Sequence, residues 1–288
     1  MSGIERYAAP RTLEEAAELL SAGGATVFAG GTDVMPQANA GRLRFQKTLL
    51  NIGRIAELRG IGESNGVVRI GALTTITELL ESPLVRGRFR ALWQSCDHFA
   101  SDQIRNAATL GGNLCNASPA GDTLVPLLVL DAQVVLAGKP NGTLATRRLP
   151  LAGFLTGPGR TLRAAHELLT AVEIALPPAG FDSEYFKFGT RPALDIAAIS
   201  IGLGAVREGR VLRDVRVAFG AVAPTPVRAP RVEAALEGRI ADDAAIEAAL
   251  EAAADEIHPI SDIRASDWYR REMVRNMLQR MLCDVREG

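Results

Sequence analysis

The chain of 288 residues has few cysteines and histidines, three of each. Cys96, Cys115 and Cys283 form no CxxC pair, and His98, two residues from Cys96, has no second cysteine or histidine near it in the sequence. Zinc and iron–sulfur sites need such residues in clusters, so we expect neither site in this chain. An odd number of cysteines without a signal peptide favours a reducing compartment.

Long apolar runs and excess charge are also missing. No run reaches the roughly 18 apolar residues that a membrane-spanning helix requires, and residues 1–15 carry no apolar segment of the secretory type. We therefore expect a soluble, cytoplasmic protein without direct membrane insertion. A subunit carried across a membrane by a partner would have the same sequence features. The net charge of -1 and the scattered Lys and Arg argue against nucleic-acid binding.

Several catalytic and nucleotide-binding motifs are absent as well. No Gly-Lys-Ser/Thr follows a glycine loop and no GxGxxG is present, which disfavours nucleoside triphosphate hydrolysis and the usual NAD-binding fold. His98, His166 and His258 are far apart and lie in neither a GxSxG nor an HExxH context. A hydrolytic triad is therefore poorly supported.

What the chain does have is two polar, glycine-bearing stretches. Gln103–Leu128 reads QIRNAATLGGNLCNASPAGDTLVPLL, and Ala25–Val34 reads ATVFAGGTDV, with its glycines directly after a strand-like run. The chain contains three Gly-Gly pairs, as many as its 28 glycines would produce by chance at about three. The information therefore lies in the flanking Thr, Asp and Asn.

These flanks predict that the two stretches are loops that face each other and hold one dinucleotide between them. Glycine lets backbone N–H groups approach a phosphate closely, and the short polar side chains suit a sugar or a ring. Apart from Arg105 the loops lack cations, so amide dipoles would neutralise a diphosphate. Because acid–base residues are scarce near these loops, we expect a bound cofactor to carry out the chemical reaction.

Periodicity and turn residues predict the other elements. The predicted helices are 10–22 with Thr12 as N-cap, 74–80, 89–99, 124–130, an Ala-rich helix over 241–257, and 266–285. The predicted strands are 26–28, 49–52, 66–72, 132–137, 168–176, 185–188, 197–206 and 211–219. The last helix carries a Met-rich apolar stripe that favours packing on the strands over docking a partner.

The composition suits two or three globular domains, with 47% apolar and 23% charged residues. The run Pro177-Pro178-Ala179-Gly180 is typical of a linker. We predict boundaries that divide the chain into a first lobe over 1–54, a second lobe over 55–178, and a C-terminal domain over 181–288.

The two glycine motifs resemble those of a known family. AGGTD at 29–33 together with QIRNAATLGGNLCNASPAGDT at 103–123 is similar to the FAD-binding medium subunits of the molybdenum hydroxylases, such as bacterial xanthine dehydrogenase and carbon monoxide dehydrogenase. Phe186-Lys187, Asp195-Ile196-Ala197, the run FGAVAPTPVR at 219–228 and Tyr269-Arg270 also match. The resemblance extends from about residue 5 to residue 285.

This resemblance implies an α+β fold: a two-lobed FAD-binding domain of the vanillyl-alcohol oxidase/PCMH type, followed by a C-terminal α+β domain with an antiparallel sheet and helices. It implies cofactor contacts for thirteen residues, which are Ala29, Gly30, Gly31, Thr32, Asp33, Phe99, Thr109, Gly111, Gly112, Asn113, Asp122, Leu169 and Lys187. Asp122 would bond the polar chain of FAD. Lys187 would approach the flavin ring and favour its anionic reduced form, with an interdomain salt bridge as the other interpretation.

The resemblance also implies non-covalent FAD and an assembly. A large molybdenum-binding subunit would hydroxylate the substrate, a small subunit with two-iron two-sulfur clusters would relay electrons, and this flavoprotein would pass them to an external acceptor. Relatives of this kind form dimers of heterotrimers. This chain lacks the Cys-rich insertion of some relatives, and its Thr32-Asp33 differs from the residues common in carbon monoxide-type subunits.

Two other functions fit the same residues. A self-contained flavin oxidase of the vanillyl-alcohol oxidase type would need its own substrate pocket and usually a longer chain. A non-enzymatic FAD-binding scaffold is the alternative from another class. Substrate turnover by the purified chain alone separates the oxidase from the subunit.

Overall fold

The structure is a computed structural model that describes residues 3–191 and 194–287. Three larger sheets follow one another along the chain: a parallel sheet, an antiparallel sheet, and a second antiparallel sheet that carries the last helices; a fourth, two-stranded sheet lies within the segment of the second. Within these residues no helix combines the length and the apolar character needed to cross a membrane.

The first sheet is parallel and has the strand order β1-β3-β2. Helix α1 starts where predicted, because the Thr12 side chain accepts a hydrogen bond from Glu15 N. Its buried face packs on the sheet through Ala16 and Leu20. The elements are β1 (Arg6–Ala8), α1 (Leu13–Ser21), β2 (Ala25–Phe28), α2 (Val34–Asn39) and β3 (Thr48–Asn51).

The second sheet is antiparallel, with the order β4-β5-β10-β6-β7. Its elements, after a 3-10 turn at Ala56–Leu58, are β4 (Ile61–Ser64), β5 (Val67–Gly71), α3 (Ile76–Glu81), α4 (Pro83–Arg88), α5 (Arg90–Asp97), α6 (Asp102–Arg105), α7 (Leu110–Asn116), α8 (Leu124–Val129), β6 (Gln133–Gly138), β7 (Ala145–Pro150), α9 (Leu151–Phe154), β8 (Leu155–Gly157), β9 (Arg160–Thr161) and β10 (Glu167–Ala175). Helix α8 is buried at every position.

The third sheet is antiparallel and keeps chain order, β11-β12-β13-β14. The Met-rich stripe of the last helix packs against this sheet, with Val274, Leu278 and Met281 in the core. The elements are β11 (Phe181–Phe188), β12 (Ile199–Glu208), β13 (Val211–Gly220), β14 (Val227–Arg228), α10 (Pro230–Leu236), α11 (Asp243–Glu256) and α12 (Asp267–Glu287).

Three details differ from the sequence-based expectations. The glycine-bearing stretch around Gly111 is not a loop throughout, because Leu110–Asn116 forms helix α7 with Thr109 as N-cap. The cap of α3 is Thr75, which forms a capping box with Glu78. The third unit ends in three helices rather than two, since α10 begins at Pro230, a residue favoured at the first helical position.

The apolar cores cross the predicted domain boundaries. Ile55, Leu58 and Leu73 pack with Leu50 beneath the parallel sheet, although they lie beyond residue 54. Tyr185 and Ala218 belong to the core of the second unit. The boundaries themselves stay predictions, and the shared cores hold the three units against one another.

Candidate functional site

The two glycine-bearing stretches lie in direct contact. A Cβ atom added to Gly30 would lie 1.8 Å from the carbonyl oxygen of Ala107, so only glycine permits this approach. Gln37, one turn beyond the first stretch, donates from Nε2 to Asn116 Oδ1 at 3.2 Å and also hydrogen-bonds the Asp33 carboxylate. The first stretch and the helix α2 that follows it thus contact the second stretch at two points, and the prediction that the two stretches face each other is confirmed.

The first loop presents free backbone donors. It follows the carboxyl end of β2, which is an outer strand of the parallel sheet. Gly31 has a φ of +73°, and its α-carbon packs against the Phe28 ring. No atom in residues 3–191 or 194–287 accepts a hydrogen bond from the N–H groups of Gly30, Gly31 or Thr32. Consecutive half-buried N–H groups without partners form a concave anion-binding surface.

The second loop is held against β5 and then enters α7. Gly111 packs on Ala72, whose oxygen would lie 2.8 Å from an added Cβ, and Gly111 N donates to that same oxygen at 2.9 Å. Thr109 Oγ1 accepts from Gly112 N at 3.1 Å. Asn113 Oδ1 accepts from Thr123 Oγ1 at 2.7 Å, which leaves the Asn113 amide nitrogen available to a ligand.

Asp122 contacts the C-terminal domain with both carboxylate oxygens. Lys187 Nζ lies 2.9 Å from Oδ2, and Tyr185 donates its hydroxyl to Oδ1 at 3.2 Å. Lys187 Nζ also donates to the His98 carbonyl at 3.2 Å. Burial raises the pKa of Asp122, while the Lys187 ammonium acts in the opposite direction. The Asp122 carboxylate is therefore engaged by protein partners.

Two further predicted residues lie in the apolar core. Phe99 is 8% exposed, and its carbonyl accepts from Arg105 Nη1 at 2.8 Å. Arg105 also donates to the Ala100 carbonyl, and Ala100 has a φ of +37°, a left-handed conformation unusual for alanine. Leu169 on β10 is 4% exposed and belongs to the same apolar core.

The polar loop after α7 is anchored by the last domain. Ala221 N donates to the Pro119 carbonyl at 2.8 Å, and the Ala221 carbonyl accepts from the buried Arg270 at 2.9 Å. Arg270 also donates to Asp262 at 2.8 Å. Arg270, of the predicted Tyr269-Arg270 motif, therefore has a structural role. Through Ala221 it holds the loop that precedes Asp122.

A cavity of about 430 Å³ opens beside Lys187. Its size falls within the range of small-molecule sites, roughly 300–1,000 Å³. The side of the cavity opposite Lys187 is formed by the segment that follows α5 and by α6. Among its lining residues are His98, Arg105, Lys187, Arg191 and Asp195.

The sequence-based analysis missed three residues that organise this site. Gln37 bridges the two loops, Tyr185 binds Asp122, and Asn116 receives Gln37. Gln37 has a sequence signal, since it lies four residues after Asp33 and four-residue spacing brings side chains together on a helix. The pairing of Tyr185 with Asp122 spans 63 positions and has no local signal.

Two family models match the chain in succession. Residues 2–177 match the FAD binding domain in molybdopterin dehydrogenase, and residues 184–285 match the CO dehydrogenase flavoprotein C-terminal domain. The chain belongs to this family of FAD-binding flavoproteins. The resemblance and the fold class predicted from the sequence are thereby confirmed.

Similar proteins span the same length as this flavoprotein. The xanthine dehydrogenase FAD-binding subunit of Escherichia coli O157:H7 is 33% identical, with 99% of this chain and 97% of the relative covered. The nicotinate dehydrogenase FAD-subunit of Eubacterium barkeri is 31% identical over 97% and 95%. A solved carbon monoxide dehydrogenase structure from Hydrogenophaga pseudoflava matches with a TM-score of 0.91 at 32% identity, covering 97% of this chain and 96% of that one.

The residues of the site fit the cofactor of the family. The free N–H groups of Gly30 to Thr32 suit a diphosphate, and the Asn113 amide suits a polar chain. The approach of Gly30 to Ala107 brings the two stretches into contact. Backbone dipoles would take the place of the lysines and arginines that the loops lack apart from Arg105.

Proposed function

We propose that this flavoprotein is the FAD-binding electron-transfer subunit of a heterotrimeric molybdenum hydroxylase, an oxidoreductase component. The supporting observation is the direct contact between the two glycine-bearing stretches, with three consecutive free N–H groups in the first. Its nearly full-length similarity to FAD-binding subunits of xanthine and nicotinate dehydrogenases supports the same role. Those relatives are named for different substrates, which assigns substrate choice to another subunit.

The proposal assigns FAD to the thirteen residues predicted from the sequence. Ala29 to Asp33 and Thr109 to Asn113 would hold the diphosphate and the adjoining polar chain, mainly through N–H groups. Phe99 and Leu169 would shape the wall from the core side. Asp122 would hold the Lys187 ammonium through their ion pair, and Lys187 would bring a positive charge to the flavin ring beside the cavity.

Non-covalent FAD would supply a centre that exchanges electrons one or two at a time. Lys187 has two hydrogen-bond partners, Asp122 and the His98 carbonyl, so its third N–H remains for a ligand. A positive charge there would stabilise an electron-rich ring. The buried apolar wall formed with Phe99 would limit the access of water.

The proposed partners follow from the same assignment. A large subunit would carry the molybdenum cofactor and a small subunit the two-iron two-sulfur clusters, in a dimer of heterotrimers with an external electron acceptor. A cytoplasmic location belongs to this proposal, and cell fractionation tests it.

Purification of the chain with and without its partners tests the function. We expect the chain alone to bind about one FAD, which denaturation releases, and to show no substrate turnover with artificial acceptors. Addition of the molybdenum and iron–sulfur subunits should give turnover. Turnover by the chain alone would instead support a self-contained oxidase of the vanillyl-alcohol oxidase type. A preparation that binds no FAD would contradict both functions.

A further inference from the structure

Three polar side chains from two domains meet at the edge of the cavity. Tyr185 and Lys187 are two residues apart on β11, so both side chains lie on the same face of the strand. Asp122 approaches that face from the loop before α8 and accepts one hydrogen bond from each. The Lys187 side chain is only 7% exposed and that of Asp122 12%.

The geometry restricts where the Lys187 ammonium can lie. A lysine side chain is flexible, and an ammonium in a buried site needs several acceptors in place. Here Asp122 Oδ2 at 2.9 Å and the His98 carbonyl at 3.2 Å hold Nζ at the cavity edge. These acceptors come from the second lobe, whereas the lysine belongs to the C-terminal domain. The ammonium is therefore held across the domain boundary.

Tyr185 in turn orients the carboxylate. Its hydroxyl binds Oδ1 and leaves Oδ2 for Lys187, which restricts rotation of the carboxylate about its terminal torsion. Burial raises the pKa of Tyr185 well above its usual value, so the hydroxyl stays protonated and remains a donor. Tyr185 is 5% exposed, so no solvent competes for this bond.

We propose that Tyr185 and Asp122 are positioning residues that hold the Lys187 ammonium beside the flavin ring, so that Asp122 acts through Lys187 rather than on the polar chain of FAD. This inference rests on the proposed function, which places Lys187 at the ring. It assigns Tyr185 a role in setting the electron affinity of the bound flavin.

The test compares variants of the full chain loaded with FAD. Lys187→Met should lower the flavin midpoint potential, because it removes the charge that favours electron-rich flavin, and Lys187→Arg should restore part of the loss. Tyr185→Phe, which changes no charge, should lower the potential in the same direction by a smaller amount. Lys187→Met also removes a charged hydrogen-bond donor from the flavin site and should raise the FAD dissociation constant by at least about tenfold.

Two variants serve as controls. Lys139 is also 7% exposed and pairs with Glu14 and Glu18, but it joins α1 to β6 away from the cavity. Lys139→Met should lower the urea midpoint of unfolding and leave the flavin potential unchanged. Tyr7→Phe removes a hydroxyl that accepts from Asn51 and should change neither quantity.

The outcomes separate the inference from the function on which it rests. A wild-type potential in Tyr185→Phe, with a lowered potential in Lys187→Met, overturns the positioning role and leaves the role of Lys187 intact. An unchanged potential in Lys187→Met removes the lysine from the flavin site and the inference with it. Failure of the wild-type chain to bind FAD contradicts the proposed function itself.

Discussion

Gly30 shows how the absence of a side chain brings two distant segments together. Its α-hydrogen faces the Ala107 carbonyl at a distance that no Cβ atom could occupy. The segment before Thr109 therefore packs directly on the first loop. At this position glycine is required for close backbone approach, independently of its conformational freedom.

Gly30→Ala should separate the two loops. The added methyl would force a backbone shift that costs about 1–3 kcal/mol, and it should weaken FAD binding in proportion. Urea unfolding and titration of flavin fluorescence measure the two effects. Gly62→Ala is the matched control, because nothing lies within 4 Å of a Cβ added there. Equal effects of the two substitutions would show that the loops have room to move.

At the scale of elements, an ion pair between the buried Glu167 and the half-exposed Arg147 connects the strands on either side of β6. Arg147 on β7 donates to Glu167 on β10 from Nε at 2.6 Å and from Nη2 at 2.7 Å. The Glu167 side chain crosses β6 at Gly138. A Cβ atom added to Gly138 would lie 3.1 Å from Glu167 Cγ. A third hydrogen bond comes from Ala164 N at 2.8 Å. These partners, chiefly Arg147, lower the pKa of Glu167.

The lowered pKa makes the stability gained from Glu167 pH-dependent. The stabilisation is fully present above the ordinary carboxyl pKa of 4.5 and is lost as the pH falls through the lower pKa of the folded state. Glu167→Gln should therefore cost about 1–2 kcal/mol near pH 7, with a smaller difference from wild type at about pH 3. Urea unfolding at several pH values measures this difference.

Glu173 provides the comparison for that experiment. It pairs with Arg148 between the same two strands, but its side chain is 18% exposed and that of its partner 59%. Glu173→Gln should cost under about 1 kcal/mol, as expected for a solvent-screened pair. A pH-independent loss in Glu167→Gln would contradict the explanation by ionisation.

At the scale of the whole molecule, the C-terminal domain is docked on helix α8. Gly202 and Gly204 on β12 and Gly220 on β13 provide a surface without side chains, and each would clash with a valine of α8 if it carried a Cβ. Arg228 then donates to the Leu128 carbonyl at 3.1 Å, at the carboxyl end of the same helix. The domain therefore both packs on α8 and satisfies its last carbonyl groups.

Arg228→Met should loosen this docking. The substitution removes the cation that pairs with Glu233 and the bond to Leu128, whereas the half-exposed Asp131 keeps Arg216 as a partner, so we expect a loss of about 1–3 kcal/mol in the free energy of unfolding. Arg213→Met is the control, because Arg213 pairs with Glu208 and both side chains are at least 50% exposed. A loss in Arg228→Met no greater than that of the control would exclude a docking role.

Local signals in the sequence were sufficient for most elements. The cap at Thr12, the apolar run of α8 and the alternation in β12 and β13 depend on neighbours a few residues away. Strand β7 was not predicted, because its sequence ATRRLP is polar and mostly exposed and gains its place only by pairing with β6. Helix α7 was missed since Gly111 and Gly112 oppose helix formation, and packing on Ala72 outweighs that preference.

The sequence by itself determined the fold class, the family and the two glycine motifs, because these depend on residue types at fixed local spacing. Only the tertiary structure decided that Gln37 joins the loops, that Asp122 turns its carboxylate to Tyr185 and Lys187, and that α8 lies on a glycine surface. Each of these contacts joins residues of different elements. Their energies depend on distances that folding creates, which no local pattern records.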